Sequence, residues 1–335
     1  MADDSATFRA LLRQILSRAP DVEVVAEAAD GEEAVARTLA VRPDVITMDA
    51  RMPRLSGLDA LTEIMRTAPT PVVVVSADGE EQGLAFRALQ LGAVEVVGKP
   101  RGGPAERQRR AEAIRVAVQA VAGLTLVGRR AQAAAQRRLP LARLETGAVK
   151  AVGIAASTGG PAVLARILSE LPAGFPAPIL VVQHIAPGFE EGLVHWLGGE
   201  TRLRVKVAEA GDPLLSGAVL VAPAHRHLAV SGGRVRLDSR PPVKGLRPSG
   251  TVLFEALAGE FGAAAAGIIL SGMGDDGVAG LRALRARGSY TAAQGPETCV
   301  VYGMPRVAIE TGAAGQVLEA DEVAPLLRRL VGTEP

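Results

Sequence analysis

The chain has 335 residues, which favours two domains, and 48% of them are hydrophobic but only 3% aromatic, so its cores must be mainly aliphatic. Lys and Arg number 37 against 36 Asp and Glu, a balance that argues against wholesale binding to nucleic acid or membrane surfaces. The single cysteine, Cys299, excludes an intrachain disulfide and a cysteine-rich zinc site. No apolar run reaches the ~18 residues that span a bilayer, and the first residues lack a signal-peptide pattern. We therefore expect a cytoplasmic protein with no direct membrane insertion.

Short apolar runs alternate with amphipathic segments in the first part of the chain, a pattern typical of a doubly wound, parallel α/β sheet. The runs that predict strands are residues 22–26, 45–48, 72–75 and 94–97. The segments that predict helices are residues 5–16, 31–40, 58–67, 82–91 and about 105–122. Ligands of such folds bind at the edge where the strands end, so we expect functional side chains directly after these strands.

The segment 101–150 contains ten Arg and one Lys but only three acidic residues. We interpret residues 123–147 as a linker between a first domain, residues 1–122, and a second, residues 148–335. A solvated helix face and a tether explain the basic residues most simply, and a docking surface for an acidic partner is the alternative. Nucleic-acid binding is not expected, because no aromatic residue is interleaved for base stacking.

The same alternation resumes in the second domain. Strands are predicted at residues 149–155, 179–183, 219–222 and 267–270. Helices are predicted at residues 162–170, 251–261 and 278–287. The pattern indicates a second doubly wound, mostly parallel α/β domain.

Three carboxylates, a hydroxyl and a lysine lie at the predicted sheet edge of the first domain. Asp3 and Asp4 precede the first helix, and Asp49 ends the strand DVITMD. Ser76 ends VVVVS, and Lys99 ends VEVVGK. Converging carboxylates repel one another unless a divalent cation binds among them, and Mg²⁺ prefers such oxygen ligands. The ion would shield a phosphoryl group as Asp49 attacks it, while Ser76 and Lys99 would bind the phosphoryl oxygens.

This set of residues, with MDARMPRLSG around Asp49 and GKP at Lys99, resembles the receiver domain of two-component response regulators over residues 1 to about 122. The resemblance implies a flavodoxin-like fold and Mg²⁺-dependent phosphorylation of Asp49. It also implies that Ser76 and Lys99 are the switch residues.

Two features depart from the receiver pattern. Only Met1 and Ala2 stand where the family has its central first strand, so that strand is apparently missing. We expect a start codon upstream, because loss of a central strand would expose the edges of both its neighbours. Val96 stands where many receivers place a switch aromatic, three residues before the lysine.

The second domain opens with AVGIAASTGGPAVLARIL, which predicts a strand, a sharp turn at Ser157 and a helix. Pro161 suits the first helical position. Ser157 then lies beside a helix N-terminus, whose free backbone N–H groups stabilise an oxyanion. The segment is neither a GxSxG elbow nor a phosphate-binding loop, since no GK[ST] follows. It indicates a nucleophilic serine.

A nucleophilic serine needs a base, and the chain has four histidines. His184 directly follows the strand ILVVQ, at the same predicted edge as Ser157, and is the favoured base. His195 falls on a predicted helix, and we interpret it as structural. His225 and His227 follow the run AVLVAP, where either a pocket-lining role or a structural or surface role is open.

The orienting acid is expected in the turn of GIILSGMGDDGVAGL, at Asp275 or Asp276. The turn contains GMGDDG, a literal GxGxxG, but two acids inside it would repel the pyrophosphate of a dinucleotide. The next strand, SYTAAQ, also ends without a ribose-binding acid. We therefore interpret the turn as part of a Ser-His-Asp triad, which geometry defines and chain order does not.

Residues 148–332 contain ASTGGP, VVQHIAPGF, VAPAHRHL, RPSGTVLF, ILSGMGDDG and CVVYGMPR, and they resemble the catalytic domain of the chemotaxis protein-glutamate methylesterases, the CheB type. The resemblance places the triad on Ser157, His184 and Asp276. It also implies that Thr158 and Met273 help to form the oxyanion pocket. Asp275 departs from the more usual Asn and adds a negative charge near the triad.

The resemblance implies hydrolysis of γ-glutamyl methyl esters, and deamidation of glutamines, on the cytoplasmic helices of methyl-accepting chemoreceptors. It implies a CheA-type histidine kinase as phosphodonor and an unphosphorylated receiver that inhibits the catalytic domain. The hydrolase itself is expected to need no cofactor, whereas the receiver needs Mg²⁺. The alternatives are a non-catalytic adaptor in a chemosensory-like array and a hydrolase of a small-molecule ester.

Overall fold

The computed structural model describes residues 1–77, 81–122 and 148–333. The chain divides into two compact units, and the predicted linker, residues 123–147, lies outside the described residues. Where that linker begins and ends therefore stays a prediction. Among the described residues, no helix has the length and apolar character needed to cross a bilayer.

The N-terminal unit is a parallel three-stranded sheet with its helices, ordered β1-β2-β3. Its helices are α1 (Ala6–Leu16), α2 (Gly31–Val41), α3 (Gly57–Thr67), α4 (Glu81–Gln90) and α5 (Pro104–Val121). Its strands are β1 (Ile46–Met48), β2 (Val72–Ser76) and β3 (Glu95–Gly98). The βα alternation confirms the receiver-type α/β fold, with element ends shifted by one or two residues from most of the predictions.

The strand predicted at residues 22–26 is wrong. In its place the structure has only isolated parallel bridges that join Ala2 to Ala28 on one side and to Met48 on the other. Ala2 thus lies beside β1, between Met48 and Ala28, and it forms a single bridge to each of them. A cavity of about 400 Å³ lies beside residues 21–28 and 41–47. Among the described residues, the backbone of Met1 and Ala2 hydrogen-bonds to the segment 21–28 only at Ala26 and Ala28, and such isolated contacts do not make a ladder.

Side-chain caps begin three of the helices in the N-terminal unit. Ser5 accepts a hydrogen bond from the N–H of Phe8 at the start of α1, and Asp30 and Ser56 cap α2 and α3 in the same way. Each cap satisfies one of the N–H groups that a helix N-terminus leaves unpaired. Asp3 in turn accepts the N–H of Ser5, at 2.9 Å, which ties the acidic pair to the first turn of α1.

The C-terminal unit is a parallel seven-stranded sheet, ordered β12-β11-β10-β4-β5-β7-β6, with a separate antiparallel hairpin, β8-β9. Its strands are β4 (Ala151–Ala156), β5 (Ile179–Gln183), β6 (Arg204–Val207), β7 (Ala218–Val221), β8 (His227–Ser231), β9 (Arg234–Asp238), β10 (Ala265–Ile269), β11 (Tyr290–Gln294) and β12 (Gln316–Leu318). Its α-helices are α6 (Gly160–Ser169), α7 (Glu190–Glu200), α8 (Gly250–Phe261), α9 (Val278–Ala286), α10 (Met304–Glu310) and α11 (Ala320–Val331). This architecture confirms the predicted doubly wound α/β class.

The order of the strands reverses between β4 and β10. From β4 the chain passes through α6 to β5 on one side, and from β10 it passes through α9 to β11 on the other. Because crossovers between parallel strands are right-handed, α6 and α9 cover opposite faces of the sheet. The register pairs Ala155 with Ile269, so β4 and β10 end level with each other. The crevice beyond these two ends is where open α/β sheets bind their ligands.

Helices α8 and α9 pack closely against each other. Phe254 and Leu257 of α8 and Leu281 and Leu284 of α9 are fully buried in one core. The close approach depends on Gly280, where a Cβ would lie 2.4 Å from the backbone oxygen of Thr251. No side chain fits at that position unless the two helices move apart.

We predict that Gly280→Ala lowers the free energy of unfolding of the C-terminal unit by about 1–3 kcal/mol, because overpacking outweighs the better helix propensity of alanine. The control is Gly259→Ala on the exposed face of α8, where a Cβ meets nothing within 4 Å. That change should raise the free energy of unfolding by about 0.5–1 kcal/mol. Urea unfolding followed by the fluorescence of Trp196, the one tryptophan of the chain, measures both variants. Equal stabilisation of the two would contradict the prediction.

Candidate active site

Ser157 lies directly after β4, and the chain turns there into α6. The N–H of Ser157 donates to the backbone oxygen of Ser271, 2.9 Å away, which joins the ends of β4 and β10. Gly159 then adopts a left-handed conformation with φ of +76°, and Pro161 stands in the first turn of α6, as predicted. A Cβ on Gly159 would lie 2.3 Å from Val300, so glycine is required on steric grounds as well.

His184 lies directly after β5, the neighbouring strand, as predicted. Its N–H donates to the oxygen of Ala156, 2.9 Å away, which brings its backbone beside that of Ser157. Its Nε2 lies 2.9 Å from Oδ2 of Asp276. This contact leaves Nδ1 as the ring nitrogen available to the serine. Within the described chain no hydrogen bond joins Ser157 Oγ to His184, a contact that in hydrolases commonly closes when substrate binds.

Asp276 is 4% exposed and accepts hydrogen bonds from several groups besides His184. Ser249 donates its hydroxyl to Oδ1, at 2.5 Å, and Gly250 donates its backbone N–H to Oδ2, at 2.6 Å. Both donors belong to the N-terminal end of α8, where a helix favours negative charge. Burial by itself raises the pKa of Asp276, but the hydrogen bonds from His184, Ser249 and Gly250 outweigh it and hold the pKa at about 2. Asp276 is therefore an anion at neutral pH.

The two residues expected at the oxyanion flank the nucleophile. Thr158 follows Ser157 and is buried, whereas Met273, on the loop after β10, has 51% of its surface exposed. That loop passes close to the serine, because a Cβ on Gly272 would lie 2.7 Å from Ser157 Cβ. Within the described residues, the backbone N–H groups of Thr158 and Met273 donate to no acceptor. Unpaired N–H groups beside a nucleophile are the donors that an oxyanion needs.

The structure also shows the surroundings of Asp275 and of the three histidines outside the triad. Asp275 forms an ion pair with Lys244, so its charge is partly balanced. His195 is exposed on α7, and His225 is exposed before β8. His227 is fully buried, and its Nε2 lies 3.2 Å from the oxygen of Pro241, which indicates a structural role.

Three buried polar residues of this site carry no role in the sequence-based prediction. Gln183 donates its amide to the carbonyl oxygens of both Ser157 and His184, at 2.8 and 2.9 Å. Ser271 donates its hydroxyl to the oxygen of Thr158, at 2.7 Å, and Ser249 holds Asp276. Gln183 ends a predicted strand, Ser271 directly follows one, and Ser249 lies two residues before a predicted helix. All three stand in quoted motifs, and these positions are the signal that could have found them.

The carboxylates, the serine and the lysine that were predicted to converge in the N-terminal unit also lie together at its strand ends. Lys99 Nζ lies 2.7 Å from Oδ2 of Asp3 and 2.5 Å from Oδ2 of Asp49. Ser76 is buried at the end of β2, and its backbone oxygen accepts the N–H of Lys99 at 2.8 Å. The ring of Phe8 covers Lys99, with 4.6 Å between Nζ and the ring centroid. The ammonium is thus held over both carboxylates.

The carboxylates are close enough together to bind one cation. One ligand oxygen from each of Asp3, Asp4 and Asp49 lies within 4.8 Å of the others. Asp3 and Asp49 are buried, and Asp4 is exposed. Burial raises the pKa of Asp49 to about 6, although its hydrogen bond from Lys99 opposes the rise. Hard oxygen donors at this spacing fit Mg²⁺.

A serine, a histidine and an aspartate meet at the switch point of one parallel sheet, and an acidic cluster with a lysine lies at the edge of another. Fold and sites together define a serine hydrolase that carries a receiver domain. Residues 152–327 match the family described as CheB methylesterase, and residues 1–108 match the response regulator receiver domain.

Full-length relatives extend the match beyond the two domains. The chain is 44% identical over 330 residues to protein-glutamate methylesterase/protein-glutamine glutaminase 2 of Anaeromyxobacter dehalogenans, covering 98% of this chain and 96% of the relative. It is 42% identical over 356 residues to the protein of that name in Symbiobacterium thermophilum, covering 99% and 96%. The crystal structure of the Thermotoga maritima CheB methylesterase catalytic domain matches with a TM-score of 0.51 and 39% identity, covering 53% of this chain and 97% of that one. The chain therefore belongs to the CheB methylesterase family.

We predict that Ser249→Ala lowers kcat for an activated ester such as p-nitrophenyl acetate by roughly 10-fold, because Asp276 loses a donor and orients His184 less firmly. Ser249 also caps α8, because its hydroxyl oxygen accepts the N–H of Thr251, so its loss should lower the free energy of unfolding by about 1 kcal/mol. The matched control is Ser289→Ala. Ser289 is also buried, and its hydroxyl donates to the backbone oxygen of Gly262. It directly precedes β11, so it lies at the end of the sheet opposite to Ser157. If both variants lost kcat equally, Ser249 would have no specific part in the site.

Proposed function

We propose that this chain hydrolyses glutamate γ-methyl esters, and deamidates glutamines, on the cytoplasmic helices of chemoreceptors. The observation that carries the proposal is the arrangement of Ser157, His184 and Asp276 around the switch point of the sheet. Support comes from relatives of more than 40% identity whose names state both activities and whose length the chain spans almost completely. The comparisons do not favour a non-catalytic adaptor.

The proposed reaction begins when Ser157 Oγ attacks the γ-carbonyl carbon. His184 takes the serine proton on Nδ1, since Nε2 remains bonded to Asp276, and the ionised Asp276 stabilises the charged ring. The tetrahedral intermediate carries its negative charge on the former carbonyl oxygen. The N–H groups of Thr158 and Met273 are the donors that we assign to that oxygen.

The intermediate collapses when His184 returns the proton to the leaving group. Methanol leaves from an ester and ammonia from a glutamine, and the glutamyl chain stays bound to Ser157 as an acyl-enzyme. Water, deprotonated by His184, then attacks the acyl carbon. The second tetrahedral intermediate collapses as His184 returns that proton to Ser157 Oγ, which releases glutamate and the free serine. These steps use only the three triad residues and backbone donors, so we assign the hydrolase no cofactor.

The N-terminal unit is proposed to regulate this activity through phosphorylation of Asp49. Asp3, Asp4 and Asp49 would hold Mg²⁺, which would supply positive charge to offset their own charges and that of a phosphoryl group. Lys99 and Ser76 would bind the phosphoryl oxygens, and Lys99 must first release its contact with Asp49. We propose a CheA-type histidine kinase as the donor and the cytoplasm as the location.

We predict that Ser157→Ala and His184→Gln each lower methanol release from methylated receptor membranes by ~10⁴-fold or more, because the triad acts as a unit. His195→Gln, an exposed histidine on α7, is the matched control and should keep full activity. Methanol release in the presence of acetyl phosphate is the measurement. An adaptor would release no methanol even as wild type. Comparable turnover of generic esters and receptor membranes would favour a small-molecule hydrolase.

We predict that Asp49→Ala abolishes the rise in methanol release that acetyl phosphate and Mg²⁺ produce in the wild type. Removal of Mg²⁺ with EDTA should have the same effect, because the phosphoryl transfer needs the ion. The control is Asp44→Ala, an exposed acid before β1, at the opposite end of the strand from Asp49. A response to acetyl phosphate that survives in Asp49→Ala would place the phosphoacceptor elsewhere.

A further inference from the structure

One strongly basic surface of the C-terminal unit lies outside the reaction described so far. It is formed by the strand β9 and the segments before and after the β8-β9 hairpin. Five side chains make it up, and together they are called the basic rim here: Arg226, Arg236, Arg240, Lys244 and Arg247. All but Arg247 are exposed, in a chain whose formal net charge is only +1.

The basic rim is tied directly to the triad. Arg247 stands two residues before Ser249, whose hydroxyl holds Asp276. Lys244 Nζ donates to Oδ2 of Asp275, the residue beside Asp276 in the chain. The C-terminal end of the segment that carries the rim therefore lies beside Asp275 and Asp276.

The basic rim is not neutralised by its own acids. Asp238 pairs with Arg240 at 2.7 Å and with Arg236 at 3.4 Å, and this pairing holds the pKa of Asp238 at about 2. Arg226 donates to a carbonyl, the oxygen of Leu237. Among the described residues, Asp238 and Asp275 form ion pairs with the rim, and Glu255 acts on Arg240 through its charge. A positive excess remains beside the active site.

The need to fold does not explain this excess. Exposed ion pairs of this kind contribute between zero and ~1 kcal/mol to stability. The side chain of Lys244 is 68% exposed, and that of Asp275 is 43% exposed, so the pair can open at little cost. Clustered like charge beside a reactive site instead steers a ligand of opposite charge and holds it.

We propose that the basic rim binds carboxylates that flank the reacting residue on an acidic helix, and so makes glutamate-rich helical segments the preferred substrate. The proposal rests on the proposed function and deepens it. Glutamates one turn apart on a helix are ~5.4 Å apart along its axis, so an ester at Ser157 brings carboxylates from the adjacent turns towards the rim. Lys244 would exchange Asp275 for a substrate carboxylate, and Arg226 would take a second one.

The test uses two helical peptides with the same central γ-methyl glutamyl residue. In the acidic peptide, Glu stands one and two turns away on the same face, and in the neutral peptide Gln replaces each of them. Fluorescence anisotropy measures the Kd of both for the full chain with Ser157→Ala and acetyl phosphate, so no turnover is needed. We expect the acidic peptide to bind ~10-fold more tightly at low salt and to lose that preference as salt rises.

Arg226→Gln/Lys244→Gln, added to Ser157→Ala, should lower this preference by ~5-fold or more. The matched control, Arg166→Gln/Arg329→Gln, removes two exposed charges from α6 and α11 and should keep it. An unchanged preference in the rim variant, or no preference in its parent, overturns the proposal. Turnover is measured separately with Ser157 intact. Selective binding without hydrolysis would contradict the proposed function and leave the basic rim supported.

Discussion

The catalytic unit depends on one buried charge, the carboxylate of Asp276. A carboxylate that is 4% exposed is stable only when hydrogen bonds replace the water it has lost. His184, Ser249 and Gly250 supply them, and they come from the end of β5 and the start of α8. The same contacts that stabilise the anion therefore position the His184 ring and hold the start of α8 against the loop after β10. The bonds that stabilise this buried charge are therefore also the bonds that orient His184.

The tight packing around this charge explains where the chain has glycine. Gly250 brings an N–H to the carboxylate, and a Cβ there would lie 2.6 Å from that of Ala155. Gly280 lets α9 approach α8, and Gly272 lets the loop after β10 pass the nucleophile. In the N-terminal unit, buried negative charge is stabilised by a lysine. Lys99 donates to Asp3 and Asp49, two buried carboxylates that would otherwise repel each other. Both sites form at the carboxyl ends of parallel strands, where the loops that follow several strands lie close together.

Much of the fold could be predicted because its strands are buried on both faces and read as continuous apolar runs. Predicted residues 179–183 coincide with β5, and most other ends differ by one or two residues. The edge strand β6, RVKV, and the strand β9, RVRLD, were not predicted, since partly exposed strands mix polar and apolar residues. Residues 22–26 were predicted as a strand on composition, yet pairing decides whether a strand forms, and Ala2 offers only single bridges.

Sequence patterns were enough to predict the class of both domains and to place Ser157, His184 and Asp276 at one edge, because strand ends converge in any parallel sheet. They equally predicted the cluster of Asp3, Asp49 and Lys99. Only the tertiary structure decided which groups hold these residues. Ser249 lies 27 residues from Asp276, and Lys244 lies 31 from Asp275, and no local pattern joins them. The orientation of the His184 ring, with Nε2 on the acid, is likewise a product of packing, since a sequence specifies the residue but not the nitrogen it presents.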